Sequence, residues 1–77
     1  MKGCQISVAA YSGYRGEEKP RSFVMEGQRI DISGIEREWT EEDAETGDRS
    51  RRFRVRGSDG LIHLLSHDEK TGSWYHS

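Results

Sequence analysis

Apolar residues recur at every second position over several stretches of the chain, which is the pattern of half-buried β-strands. Near the N-terminus, Ile6, Val8 and Ala10 alternate with polar or small residues and predict a strand over residues 4–11. The following segment, residues 12–22, contains two glycines and the only proline and has no apolar period. This segment is therefore predicted to be a long connecting loop.

Two further apolar segments are separated by Glu26-Gly27, where glycine allows the positive φ of a tight hairpin turn. A two-residue turn of this kind sets Phe23 opposite Ile30. The pattern thus predicts one strand that ends at the turn and another that begins after it.

The alternation of the next strand, predicted over residues 28–40, breaks once. Ile30 and Ile32 share one face of this strand, whereas the later apolar residues fall at the opposite parity. A β-bulge at Gly34 would return the later residues to the first face and would bend the strand. The residues expected on this common face are Ile30, Ile32, Ile35 and Trp39.

The last long apolar segment predicts a hairpin over residues 53–65, with Asp59-Gly60 as its turn signal. Loops of two and of four residues are both compatible with the sequence, and both give the same pairing parity. The predicted buried face carries Phe53, Val55, Ile62 and Leu64, and the opposite face carries Arg52, Arg54, Arg56, His63, Leu65 and His67.

Together with a polar turn over 68–72 and a short strand over 73–76, these segments predict five or six antiparallel strands. A strongly bent strand lets a small sheet curl on itself. The predicted fold is therefore all-β, a bent meander that forms a small SH3-like barrel. With 77 residues and 8.8 kDa, the chain is expected to form a single domain, residues 1–77. Its predicted core consists of Ile6, Val8, Phe23, Met25, Ile30, Ile32, Ile35, Trp39, Phe53, Val55, Ile62 and Leu64, with Trp74 at the margin.

Charge is abundant but balanced, because 12 Lys and Arg residues stand against 14 Asp and Glu residues for a net charge of −2. Residues 41–48 carry five acids and no base, and residues 49–56 carry five arginines and no acid. The acidic segment is predicted to be a loop, since a helical turn there would have no apolar face. The arginine segment is predicted to be a strand.

The arginine strand has two interpretations. Arg52, Arg54 and Arg56 lie about 6.6 Å apart on one face, close to the phosphate repeat of a nucleic-acid strand. With His63 on the same face, they would form a surface for single-stranded nucleic acid. Alternatively, the acids of residues 41–48 neutralise the arginines in surface ion pairs of little energy, which the isoelectric point of about 5.9 favours.

The loop over residues 11–21 is a second candidate site. Tyr11, Tyr14, Arg15 and Arg21 are of residue types enriched at binding hot spots, and long loops on small sheets often carry function. The alternative is that the tyrosines cover one open end of the barrel with their hydroxyls in water.

Neither metal binding nor catalysis has a clear motif. His63 and His67 are about 13 Å apart along one strand, too far to share an ion. His67 and Asp68 could meet His76 across the last hairpin, but a polar turn explains them as well. No nucleophile elbow, Cys-x-x-Cys or phosphate-binding loop is present. We therefore predict no metal site, no cofactor and no enzymatic activity. Cys4 shares the parity of the apolar residues in its strand and is expected to be a buried, inert thiol.

The tyrosine and arginine loop, the Glu26-Gly27 turn, the isoleucine-rich strand that ends in Trp39 and the hairpin from Phe53 together resemble short bacterial proteins of unknown function. This resemblance implies a stand-alone cytoplasmic β domain. A single cysteine, no apolar run of about 20 residues and no secretory signal also favour the cytoplasm.

These observations predict a non-catalytic binding module. A protein partner is expected to contact either the loop over 11–21 or the face of the arginine strand, and the protein is expected to be a monomer or a weak dimer. The alternative function is single-stranded nucleic-acid binding through Arg52, Arg54 and Arg56.

Overall fold

A computed structural model describes residues 4–12 and 18–77, and the side chains of all of these except Tyr11, Ser12 and Glu18. Each strand pairs antiparallel with the next, and the last returns to the first, so that the sheet closes as a six-stranded barrel. This confirms the predicted all-β meander and small SH3-like barrel. The strands are β1 (Cys4–Ser12), β2 (Glu18–Met25), β3 (Gln28–Glu42), β4 (Arg49–Gly57), β5 (Ile62–Asp68) and β6 (Trp74–His76).

The turn between β2 and β3 has the predicted form. Glu26 and Gly27 both have positive φ, at 53° and 75°, as a type I′ turn requires. Phe23 pairs with Ile30, as the two-residue turn predicts.

The predicted loop over 12–22 is much shorter in the structure. β1 extends to Ser12 and β2 begins at Glu18, with Lys19 and Pro20 paired to β1 across a register shift. Arg21 therefore lies inside β2. The sequence does not indicate this part of β2, because its buried positions are Pro20 and Ser22, which are not residue types typical of strands.

β3 contains two irregularities where one was predicted. The first lies between Ile32 and Gly34, and it brings Ile35 into contact with the core as expected. The second lies between Ile35 and Arg37 and shifts the parity once more. Trp39 therefore faces outward, and its assignment to the core was wrong. Its ring instead lies under the guanidinium of Arg37, whose Cζ is 5.3 Å from the ring centroid.

The hairpin between β4 and β5 has a loop of three residues, which neither predicted length allowed. Arg56 pairs with Ile62, and the N–H of Gly57 donates to the carbonyl of Leu61. Gly60 has φ of 82°, as is typical of a three-residue loop with a glycine bulge. One residue more or less in a loop exchanges the two faces of the following strand.

The faces of β5 are consequently reversed. His63 and Leu65 point inward and are buried, whereas Ile62 and Leu64 point outward and are 41% and 42% exposed. The predicted core positions of Ile62 and Leu64 were wrong, and so were the predicted surface positions of His63 and Leu65.

The remaining core follows the prediction. Ile6, Val8, Met25, Ile32 and Ile35 pack partly buried against it, as does Ala10. Cys4, expected to be buried, is exposed, because it pairs with His76 at the end of the ladder between β1 and β6. The buried apolar residues are Phe23, Ile30, Phe53, Val55, Leu65 and Trp74.

The acidic segment forms no helix. Residues 43–48 close the turn between β3 and β4, and the carboxylate of Asp43 accepts the N–H groups of Glu45 and Thr46. Among the described residues there is no helix that is long and apolar enough to cross a membrane.

Candidate binding face on β4 and β5

The outer surface of the β4–β5 hairpin combines arginines with exposed apolar side chains. Arg54 pairs with Leu64 and Arg56 with Ile62, so that each arginine lies beside an apolar residue. We call these four residues the β4–β5 face. Burying a Leu or Ile side chain is worth about 1.5–3 kcal/mol, and the apolar members of this face contribute only part of that to folding.

Every arginine of β4 has a carboxylate within 4.0 Å, and these partners are glutamates of β3. Glu36, at the second irregularity, lies 2.8 Å from Arg56 and 3.6 Å from Arg54. Only Glu41 and Glu42 belong to the acidic segment 41–48 that was expected to neutralise the arginines. Exposed pairs of this kind contribute about 0–1 kcal/mol each to stability. The other pairs are Arg49 with Glu42, Arg51 with Glu38 and Arg52 with Glu41.

Arg52 differs from Arg54 and Arg56. Its Nε lies 2.7 Å from Oε2 of Glu41, yet its N–H has no hydrogen-bond partner among the described residues. The contact is therefore a Coulombic pair without the direction of a hydrogen bond. Arg52 pairs across the strands with Trp39 and with Ser66, so it continues the outward row of arginines away from the exposed apolar residues.

An open cavity of about 480 Å³ lies at the far end of this surface. It is bordered by Arg52, the acidic turn and Asp68. The carboxylate of Asp68 already accepts the backbone N–H groups of Lys70 and Thr71. A lining dominated by charged groups is unlike the mostly apolar pockets that hold small organic ligands.

His63 belongs to an interior cluster and is not part of the β4–β5 face. Its Nε2 lies 3.0 Å from Oδ2 of Asp59, and its Nδ1 lies 2.9 Å from Nε2 of His76. The ring of Phe23 meets it edge-on, with the centroids 5.0 Å apart. Sequence reasoning missed this cluster because it placed His63 on the wrong face, and the three-residue loop is the feature that would have revealed it.

Two groups of this cluster have shifted pKa values, the carboxyl group of Asp59 and the imidazole of His76. The backbone N–H of Leu61 lowers the pKa of Asp59 below 3.8; burial opposes this shift, and the hydrogen bond and charge of His63 add to it. Burial lowers the pKa of His76 below its ordinary value of 6.5, and the charge of His63 lowers it further. Both shifts favour the deprotonated form of the group.

The second predicted site is only partly described. Tyr11 lies on β1, where its backbone pairs with Lys19, and Arg21 is an exposed residue of β2. Tyr14 and Arg15 lie outside the described residues. The prediction that these four residues form one surface therefore stays a prediction.

The part of the chain that the structure describes contains no group of three His, Cys, Asp or Glu side chains placed to hold a metal ion. Comparison of the chain with known protein families, curated proteins and solved structures found no match.

Proposed function

We propose that the protein is a non-catalytic binding module that engages a protein partner through the β4–β5 face. The observation that carries this proposal is the exposure of Ile62 and Leu64 directly beside Arg56 and Arg54. Exposed apolar residues grouped together are typical of interaction surfaces. Arginine is likewise enriched at protein interfaces, where its stem packs and its head group forms hydrogen bonds.

The ion pairs of β4 favour a protein over a nucleic acid. Lysine and arginine side chains bind a phosphate backbone by neutralising its phosphates, which releases the counterions condensed on the nucleic acid. Here Glu36 already lies against both Arg54 and Arg56, and the whole chain has a net charge of −2. A phosphate would have to displace a carboxylate and approach an acidic molecule.

We further propose that the module acts in the cytoplasm as a monomer or a weak dimer. The single cysteine supports the compartment. The small size of the exposed apolar group on the β4–β5 face supports weak rather than obligate self-association, since obligate interfaces are large and apolar.

The test is cross-linking and capture of partners in native cells with the protein and two variants. The double variant Ile62→Thr, Leu64→Thr removes the apolar part of the face and places a β-branched residue, which suits a strand, at both positions. Val24→Thr is the matched control, because Val24 is also 42% exposed and lies on β2, three strands away in the barrel.

We expect the double variant to lose at least about tenfold in captured partner, equivalent to roughly 1.4 kcal/mol, while the control keeps it. Sedimentation of the purified protein distinguishes a second copy of the chain from a different partner. Equal capture by all three proteins would show that the β4–β5 face is not the recognition surface.

A further inference from the structure

Three side chains from three separate segments form one chain of hydrogen bonds at one end of the barrel. Asp59 lies in the loop after β4, His63 in β5 and His76 in β6. The distances are 3.0 Å from Oδ2 of Asp59 to Nε2 of His63 and 2.9 Å from Nδ1 of His63 to Nε2 of His76. Since Asp59 as a carboxylate can only accept, Nε2 of His63 donates to it.

The contact between the two imidazoles has room for only one proton between the two facing nitrogens. A hydrogen bond between Nδ1 of His63 and Nε2 of His76 needs a lone pair on one nitrogen and a proton on the other. When both rings are cationic, both facing nitrogens carry protons, and two N–H groups oppose each other at 2.9 Å. Asp59 compensates one positive charge but not two.

β6 is the element that this repulsion would displace. It has only three residues, with three paired positions on β5 and three on β1. β4, by comparison, forms seven paired positions with β5. A short strand with so few hydrogen bonds opens at a lower free energy than the rest of a sheet.

Side chains and backbone of the neighbouring strands pack around the two histidines. Phe23 of β2 contacts both rings, and a Cβ at Gly57 of β4 would lie 3.1 Å from Cδ2 of His63. Cys4 of β1, a titratable thiol, is the cross-strand neighbour of His76. At the other end of β6, His67 of β5 stacks on Trp74 with the ring centroids 4.4 Å apart. Asp59 supplies a negative charge to the pair through its contact with His63.

We propose that His63 and His76 form a pH-sensitive latch, which holds β6 in the barrel at neutral pH and releases it when both rings are protonated. Release of β6 would free the backbone edges of β1 and β5 and uncover Trp74. It would also break the hydrogen bond from the N–H of Ser77 to the carbonyl of Leu64, next to the β4–β5 face.

The direction of the effect follows from linkage. Because the pKa of His76 is lowered in the folded protein, the closed state binds fewer protons than the open state. The contribution of His76 to the stability of the closed state is present above about pH 6.5, and it is lost as the pH falls through the lowered pKa of His76. The pKa of Asp59 is lowered from 3.8, so its carboxylate persists throughout this range and is lost only in stronger acid.

The test is amide hydrogen exchange followed by NMR between pH 7.5 and 5.0, expressed as protection factors so that the intrinsic pH dependence is removed. We expect the protection of the β6 amides to fall about tenfold for each unit by which closure lowers the pKa of His76. The amides of the β2–β3 hairpin serve as the internal reference and should keep their protection.

Two single variants separate the latch from general acid destabilisation. His76→Gln keeps a side-chain amide near the position of Nε2 but cannot become cationic, and it should abolish the selective loss in β6. His67→Gln removes the third histidine, which also packs against β6 but lies outside the hydrogen-bonded chain, and it should keep the selective loss.

The latch would be disproved by equal losses of protection in β6 and in the β2–β3 hairpin, or by an unchanged pH dependence in His76→Gln. If that variant does not fold, ¹⁵N titration of the imidazoles in the unaltered protein decides the question. The resonances of β6 must then change together with the second protonation of the histidine pair. Independent titration of the two rings with unchanged β6 resonances would contradict the latch.

Discussion

Glu26 occupies a backbone position that suits its residue type poorly. Its φ of 53° lies in the left-handed region, which costs most L-residues about 1–2 kcal/mol. Asparagine tolerates this conformation and is the usual first residue of a type I′ turn that ends in glycine. The strain at Glu26 is therefore local and can be relieved without any change in packing.

We predict that Glu26→Asn raises the free energy of unfolding by about 0.5–1 kcal/mol, measured by urea denaturation. Glu26→Gln is the control, since it removes the same charge without suiting the left-handed region. If both variants stabilise the protein equally, the charge of Glu26 and not its backbone conformation is responsible.

At the level of elements, the length of one loop decides which side chains of β5 reach the core. A three-residue loop buries His63 and Leu65, whereas the predicted loops would have buried Ile62 and Leu64. The predicted face of β5 would bury more apolar side chains than the observed face does. The structure buries an imidazole instead, at no polar cost, because Asp59 and His76 satisfy both ring nitrogens.

Gly57 anchors this hairpin against β3. A Cβ there would lie 2.5 Å from Oδ1 of Asp59 and 2.9 Å from Cγ2 of Ile30. We predict that Gly57→Ala destabilises the protein by about 1–3 kcal/mol, because overpacking must displace the loop or β3. Thermal or urea unfolding measures the change.

Gly34 provides the matched control for Gly57→Ala. It also lies in a strand, but a Cβ added there would meet nothing within 4 Å. Gly34→Ala should change the unfolding free energy by no more than about 0.5 kcal/mol. Equal losses in the two variants would indicate a general cost of replacing glycine and would exclude a specific clash at Gly57.

The two irregularities in β3 likewise show that a single residue can change which face of a strand is buried. The broken alternation and Gly34 correctly predicted the first, because Ile35 must face the core. Nothing in the sequence distinguishes the second, at Glu36, from regular strand, since Arg37, Glu38 and Trp39 are all compatible with either face. The position of Trp39 therefore follows from the pairing of β3 with β4.

At the level of the whole molecule, the balance of charges predicts whether the protein binds nucleic acids. The arginines of β4 are matched by glutamates of β3, and the net charge is −2. We predict no binding of a labelled single strand at about 0.15 M salt, where non-specific complexes are weak even for basic proteins. Fluorescence anisotropy with protein in the high micromolar range measures this.

The double variant Glu36→Gln, Glu41→Gln tests whether pairing of the arginines with glutamates of β3 prevents the binding of nucleic acid. It changes the net charge from −2 to zero and frees Arg52, Arg54 and Arg56, so we expect salt-dependent binding to appear. Glu26→Gln, Glu69→Gln changes the net charge equally but at other sites, and it should not bind. Tight binding by the unaltered protein would instead favour the nucleic-acid alternative over a protein partner.

Sequence by itself determined the all-β class, most of the strands, the Glu26-Gly27 turn and most of the core, because these depend on residues two to four positions apart. Only the tertiary structure decided which faces of β5 and of the end of β3 are buried. A single extra residue in a loop or bulge reverses such a face, and packing between segments distant in the chain selects among the alternatives. The apolar side chains of the β4–β5 face and the contact of His63 with His76 are consequences of that selection.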